Sequence, residues 1–286
     1  MEYSSSDILN RAFTRNMLRN FINDCNDETF LNLVKKYIKD TNIKTNGQIL
    51  IEIYNILKNG YRNEYYYKNT LFNKQLLGIH SLNTTSALTE IQIYKSKADF
   101  IVINGKAVVY EIKTELDNLY RLNNQINDYY KAFDHVAVLT CSKYLKNVEE
   151  ILELNGKPTG IYILQKNNRI KTIKKPIRYT ASLDKDVIFK ILRKSEYERI
   201  LNKFYGFLPD VNQFEYYSAC KNMFSNLYIN EVYPFFLEII KDRPDIVKDV
   251  IINTPYELRS LAYFMELDND DLKKLELFLN NEFGGY

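Results

Sequence analysis

Residues 89–134 read TEIQIYKSKADFIVINGKAVVYEIKTELDNLYRLNNQINDYYKAFD, and this stretch decides the fold. From Lys97 to Thr114 the pattern is strand, tight turn, strand, with Asn104-Gly105 at the turn. Side chains alternate across a strand, so Glu111 and Lys113 share one face while Tyr110 and Ile112 take the other. A carboxylate and an ammonium at the end of an apolar strand are unusual in a core. The bland reading is a surface ion pair contributing about 0–1 kcal/mol. The sharper one adds Asp99 from the preceding strand and a divalent metal, which together can hold a scissile phosphate and its attacking water.

Asp99 followed by Glu111-Ile112-Lys113 resembles the PD-(D/E)xK motif of the restriction-endonuclease-like nuclease superfamily, with Ala98 in the usual proline position. Locally, RNEY at 62–65, SKAD at 96–99, YEIKTELDNLYRL at 110–122 and the following QINDYYKAFD resemble a bacterial branch of small nucleases of that superfamily. Some members of that branch are encoded beside a partner called a beta-family protein. The resemblance spans residues 60–200 and is most specific over 96–134. It implies an α/β fold: a restriction-endonuclease-like core, with a mixed central sheet flanked by helices, N-terminal helices and a C-terminal all-helical region. It further implies a Mg²⁺-dependent phosphodiesterase, with Mn²⁺ as substitute, acting on DNA more readily than RNA in defence against foreign DNA. The alternative is a non-catalytic nucleic-acid- or partner-binding protein on the same fold. The presence of Asp99, Glu111 and Lys113 together favours the enzyme. A second DxK, Asp271-Leu272-Lys273, lies in a helix-like segment where residues two apart diverge by about 200° and cannot converge.

Within that chemistry Asp99 and Glu111 are oxygen ligands for Mg²⁺, which takes few protein carboxylates and keeps its waters. Lys113 gives electrostatic help to the attacking water or the transition state. Glu90 becomes a third metal ligand if its strand and the next meet in a tight turn at Lys95–Ser96. Glu64 has two readings: a first-turn acid favoured by the helix dipole, or an acid facing the metal site, as on the helix before the sheet in many superfamily members. Arg121, Gln125 and Tyr129 advance four residues at a time and share one helical face. Gln125-x-x-x-Tyr129 resembles the Gln–Tyr motif of exonuclease domains in recombination helicase–nucleases. Arg121 either binds a phosphate in forked geometry or pairs with Asp117 one turn back.

The 286 residues are 45% apolar and 14% aromatic, enough for a substantial core, with 24 Tyr and no Trp. Net charge is +3, but residues 205–286 hold 7 Lys+Arg against 14 Asp+Glu, which leaves 32 against 22 in residues 1–204. The basic part suits a polyanionic substrate. The acidic part packs on the core or on a protein partner. Cys25, Cys141 and Cys220 show neither disulfide nor zinc spacing, which fits a reducing cytoplasm. No leader and no run of about 18 apolar residues appears, so neither export nor a membrane is expected. His80 and His135 have no ligand or triad spacing and read as structural, and no glycine-rich phosphate loop is present.

Along the chain, residues 1–60 read as an N-terminal segment of three short helices, 61–204 as the nuclease-like core and 205–286 as a C-terminal helical region. Asn63 caps a helix stopped near Gly78. Strands follow at 88–95, 97–103 and 107–114. Asp117 caps a helix through Phe133, buried along Leu119, Leu122, Ile126, Tyr130 and Phe133. Residues 135–140 read as a central strand, 144–153 as a helix and 160–165 as a further strand. After a basic segment from Arg169 to Arg178, residues 186–203 form an amphipathic helix. From 211 to 283 helices continue, broken near Pro234, Pro244 and Pro255. Asn-Gly allows a two-residue loop pairing Ile103 with Lys106, which turns Asp99 away from Glu111. The expectation is instead a three-residue loop pairing Val102 with Lys106, which makes Asp99 and Glu111 diagonal neighbours about 7–8 Å apart.

Overall fold

The computed structural model describes residues 8–9, 11–23, 27–79 and 81–284; Cys25 and His80 lie outside them. The three expected N-terminal helices form as α1 (Arg15–Ile22), α2 (Glu28–Tyr37) and α3 (Asn46–Gly60), each with a side-chain cap from Thr14, Asp27 or Thr45. Asn63 accepts the Tyr66 N–H at 3.1 Å and starts α4 (Glu64–Phe72), which passes into a π-helical turn over Asn73–Ile79. Gly78 therefore lies inside that turn and does not follow the helix end.

A six-stranded mixed sheet carries the molecule. β1 (Ser86–Leu88), β4 (Phe100–Asn104) and β5 (Lys106–Lys113) are antiparallel, and β6 (Val136–Thr140) and β7 (Gly160–Leu164) continue parallel to β5. β8 (Ile170–Lys174) closes the far edge antiparallel to β7. The basic run after residue 165 gave no strand signal because its lysines face solvent. Those lysines, with a bulge at Ile161/Tyr162, guard the edge against further pairing. β2 (Ile91–Ile93) and β3 (Ser96–Ala98) stand apart as a separate two-stranded hairpin. The expected single strand over 88–95 thus splits in two, because Glu90 turns the chain with a φ of 57°.

The period-two pattern of β4 and β5 assigns the two layers. Phe100, Val102, Val108 and Tyr110 pack under the N-terminal helices, while Ile101, Ile103, Ala107 and Val109 meet the opposite layer. That layer holds α5 (Leu122–Tyr129), α6 (Leu145–Asn155), α7 (Lys185–Ile191), α8 (Lys194–Tyr205), α9 (Gln213–Ser225) and α10 (Ile229–Lys241). α5 starts four residues later than expected, because the Asp117 carboxylate turns back onto the Thr114 N–H at 2.8 Å and its hydroxyl at 2.7 Å. The amphipathic run over 186–203 breaks where Leu192 and Arg193 are extended, with ψ of 138° and 163°. Pro234 rides inside α10 and breaks nothing, whereas Pro244 and Pro255 do fall between helices.

α11 (Lys248–Asn253), α12 (Arg259–Phe264) and α13 (Asn269–Asn280) return to the first layer. The two chain ends therefore share one core. Phe278 stacks on Phe21 with centroids 4.2 Å apart, and the Asn46 side chain donates to the Phe278 carbonyl at 3.0 Å. Asn69 of α4 donates to Tyr54 Oη and the Tyr256 carbonyl and accepts from the Ser260 N–H. Tyr263 Oη accepts the Ala87 N–H at 2.9 Å and so covers the β1 edge. Cys141 and Cys220 are buried free thiols. Among the described residues no helix is long and apolar enough to cross a membrane.

In the second layer a buried ion pair fixes α10 to α8. Arg243 donates to Glu196 at 2.7 and 2.6 Å and to the Ile191 carbonyl at 2.7 Å. Burial alone would raise the Glu196 carboxyl, but Arg243 and the Arg193 N–H hold it below the ordinary range. Removing one partner leaves an unpaired buried charge, so Arg243→Met should destabilise the protein by about 3–5 kcal/mol in urea unfolding. Arg243→Met with Glu196→Leu should recover at least half of that loss, and a double variant no more stable than the single would refute the assignment.

Candidate active site

The β4–β5 hairpin decides which side chains meet. Its ladder pairs Phe100 with Tyr110, Ile103 with Ala107 and Asn104 with Lys106, leaving Gly105 alone at the tip with φ +67°. Neither expected loop is present. Asn104 stays in the strand and only Gly105 enters the left-handed region, so the register differs by two residues from the favoured three-residue loop. The face is the same, because a shift of two preserves side-chain parity. Asp99 is the residue just before β4, one step past the Phe100–Tyr110 pair, and lies near enough to Glu111 for the charge of one to act on the other. The Ile112 N–H donates to Asp99 Oδ2 at 2.8 Å and pins the carboxylate there.

Glu111 is only 1% exposed, and its partners are supplied by β5 and α5. Lys113 Nζ lies 2.7 Å from Glu111 Oε1. Tyr129 Oη lies between Glu111 Oε2 and the Lys97 carbonyl. Burial pushes the Glu111 carboxyl up, against the opposing pull of Lys113, Tyr129 and Gln125. Burial likewise raises Asp99, to about 8, reinforced by the negative charges of Glu111 and Glu64 and opposed by the Ile112 N–H and Lys68. Burial and the Glu111 charge push the Tyr129 hydroxyl up in turn, so it remains a donor.

Asp99 opens onto a cleft of about 810 Å³, lined among others by Glu64, Lys68, Glu90, Arg121 and Gln125. Glu64 sits in the first turn of α4, pairs with Lys68 at 2.5 Å, lines the cleft and adds its charge to Asp99. Glu90 lines the cleft, but its carboxylate is engaged by Lys97 at 3.1 Å, which lowers its pKa. The turn lies at Tyr94–Lys95 rather than Lys95–Ser96, and Glu90 sits at the kink before β2. Among the described residues no three Asp, Glu, His or Cys side chains converge on one point. Asp117 is committed to Thr114, so Arg121 does not pair with it; its guanidinium lies 5.6 Å from the Tyr120 ring centroid. His135 is structural as expected, with Nδ1 2.8 Å from Asp134.

Three participants escaped the sequence reading. Lys68 carried a signal, its four-residue spacing from Glu64. Ser96 and Asp128 carried none: Ser96 Oγ donates to Asp128 Oδ2 at 2.7 Å only because the hairpin folds onto α5.

The donor set suits a hard divalent cation. Asp99 and Glu111 are neighbouring carboxylates, the latter already engaged by Lys113 and Tyr129, and Gln125 Oε1 is buried without a hydrogen-bond partner. Oxygen donors in small number match Mg²⁺, which retains water ligands for itself.

Comparison with known proteins places the whole site inside one family. The family model of bacteriophage P4 protein cII matches residues 57–276. The chain belongs to that family. The match spans the sheet and most of the helices of both layers, including every candidate residue from Glu64 to Tyr129, while α1, α2 and most of α3 precede it. Protein cII of Enterobacteria phage P4 is 29% identical over 155 residues, which cover 52% of this chain and 55% of that protein. The chain thus spans little more than half the length of this cII-family relative. A solved structure, the SPO1766 protein of unknown function from Silicibacter pomeroyi, overlaps 43% of this chain and 80% of its own at 13% identity. Its TM-score of 0.27 is too low to bear on the fold.

Because Asp99 ionises less readily folded than unfolded, its favourable contribution is complete below the usual carboxylate range, about pH 4. It is lost as pH rises through about 8. In EDTA the melting temperature should therefore fall between pH 5 and 9, and Asp99→Asn, which still accepts from Ile112, should flatten that fall. Adding Mg²⁺ at pH 8.5 should raise the melting temperature of the wild type and leave Asp99→Asn unchanged. Identical pH profiles for the two proteins would refute the buried pair.

Proposed function

We propose that this protein is a metal-dependent nuclease that hydrolyses phosphodiester bonds in DNA, built on a restriction-endonuclease-like core. The observation that carries the reading is the proximity of Asp99, on the cleft wall just before β4, to Glu111 of β5, which is bonded to Lys113 on the same strand face. The order helix, antiparallel hairpin, helix, parallel strand (α4, β4–β5, α5, β6) supports such a core. A purely structural ion pair leaves unexplained a second carboxyl, raised by burial and then by like charge, on the wall of a cleft.

A divalent cation held by Asp99 and Glu111 supplies charge for the transition state and an activated water. Lys113 orients the attacking water and offsets negative charge on the phosphate in flight. Tyr129 and Gln125 fix the Glu111 carboxylate so that its geometry is set before substrate arrives. Glu64 and Lys68 shape the far wall, where Glu64 adds to the field that favours cation binding. Arg121 is placed to take a phosphate oxygen. The excess of Lys and Arg in residues 1–204 supports a polyanionic substrate and steep salt dependence. Defence against foreign DNA rests on the resemblance alone, and a protein partner for the acidic residues 205–286 rests on charge alone.

The test is incubation with plasmid, linear duplex, single-stranded DNA and RNA in Mg²⁺, Mn²⁺ or EDTA. Cleavage should require the metal. Asp99→Ala, Glu111→Ala and Lys113→Ala should each lower it by roughly 10²–10³-fold or more with the circular dichroism spectrum retained. Glu64→Ala and Gln125→Ala should give smaller losses. Wild-type cleavage by the first three variants would remove the activity from this site.

A further inference from the structure

The β2–β3 hairpin is an insertion in the sheet order, paired with no strand of the main sheet. Its tip is strained: Tyr94 has φ +54°, a region a bulky side chain rarely adopts, and the Gln92 side chain donates to the Tyr94 carbonyl at 3.1 Å to close it. The base of the hairpin is fixed to the chemistry by two bonds. Ser96 holds Asp128 of α5, and the Lys97 carbonyl shares Tyr129 Oη with Glu111. Tyr94 therefore keeps a set distance from the carboxylates while lining the same cleft. Its ring lies under the Lys131 ammonium, 3.2 Å from the centroid, yet the residue remains 47% exposed.

The charges along the cleft divide in a way that suits a strand of nucleic acid. Lys68 and Lys97 are neutralised by Glu64 and Glu90. Among the described residues Lys95 and Arg121 pair with no carboxylate, and each lies against a tyrosine ring, Tyr94 or Tyr120. Unpaired cations beside exposed aromatic rings match phosphates alternating with bases. In a duplex both faces of each base are already stacked, and a ring on the cleft wall has nothing to receive.

We propose that the hairpin reads an unpaired nucleotide: Tyr94 stacks on a base next to the phosphodiester held at Asp99 and Glu111, while Lys95 and Arg121 contact flanking phosphates. The substrate is then single-stranded DNA, or the single-stranded segment of a larger DNA. This rests on the nuclease reading of the site but is tested without cleavage. The full-length protein in EDTA is titrated into a 2-aminopurine-labelled single strand and into the same sequence as a duplex. Wild type should bind the single strand more tightly and change the 2-aminopurine signal. Tyr94→Ala should weaken single-strand binding about tenfold and abolish the signal change, with duplex binding unaltered. Tyr94→Phe, which keeps the ring, should restore both. Equal or tighter duplex binding by wild type, unchanged single-strand binding by Tyr94→Ala, or binding confined to an RNA strand would each overturn the proposal. Tyr94-dependent binding with no cleavage in Mg²⁺ would instead remove the nuclease reading and leave the base contact standing.

Discussion

Everything at the site depends on one register. The ladder that sets Phe100 against Tyr110 brings Asp99 near Glu111, and the two carboxylates repel. Burial sharpens the repulsion, since a low-dielectric surrounding penalises each ionised form separately. The fold tolerates this by surrounding the pair with donors: the Ile112 N–H for Asp99, and Lys113, Tyr129 and Gln125 for Glu111. The result is a pair of neighbouring buried carboxyls, each held by donors, at the end of an otherwise apolar strand.

That arrangement imposes demands on distant parts of the chain. α5 must lie close over β5 for Tyr129 to reach Glu111, and the same hydroxyl ties down the β2–β3 hairpin through Lys97. The late start of α5 follows from Asp117 closing the turn after β5, and the intervening residues bring Arg121 to the cleft. Behind the sheet, α4 carries Glu64 and Lys68 to the same cleft, while Asn69 fixes α4 to Tyr54 and to the chain near Tyr256 and Ser260. Chain ends far apart in sequence thus support one wall of the site.

Much was legible wherever a pattern was local. Period-two alternation located β4 and β5 and put Glu111 and Lys113 on one face, and continuous apolar character marked β6 as covered on both sides. Helical spacing of apolar residues indicated α1, α2 and α3, and the Asn63 cap placed the start of α4. Failures came where a residue had two competing partners. Asp117 reads as a helix cap, yet its carboxylate finds Thr114 first. Glu90 reads as a third acid, yet positive φ turns the chain there and Lys97 takes its charge. Lys-rich β8 reads as a basic loop because its pairing with β7 is written in backbone hydrogen bonds, which composition does not report.

The sequence by itself determined the N-terminal helices, the central β4, β5 and β6 strands, the parity of side chains along them and the set of ionisable groups available, because these follow from backbone geometry and residue chemistry within a few residues. Only the tertiary structure decided which of those groups face one another. A register shifted by two residues keeps the same core face buried, so hydrophobic pattern cannot choose between pairing Lys106 with Val102 and pairing it with Asn104. That choice belongs to a single Gly105 in the left-handed region and to the bond from Ile112 that closes on Asp99.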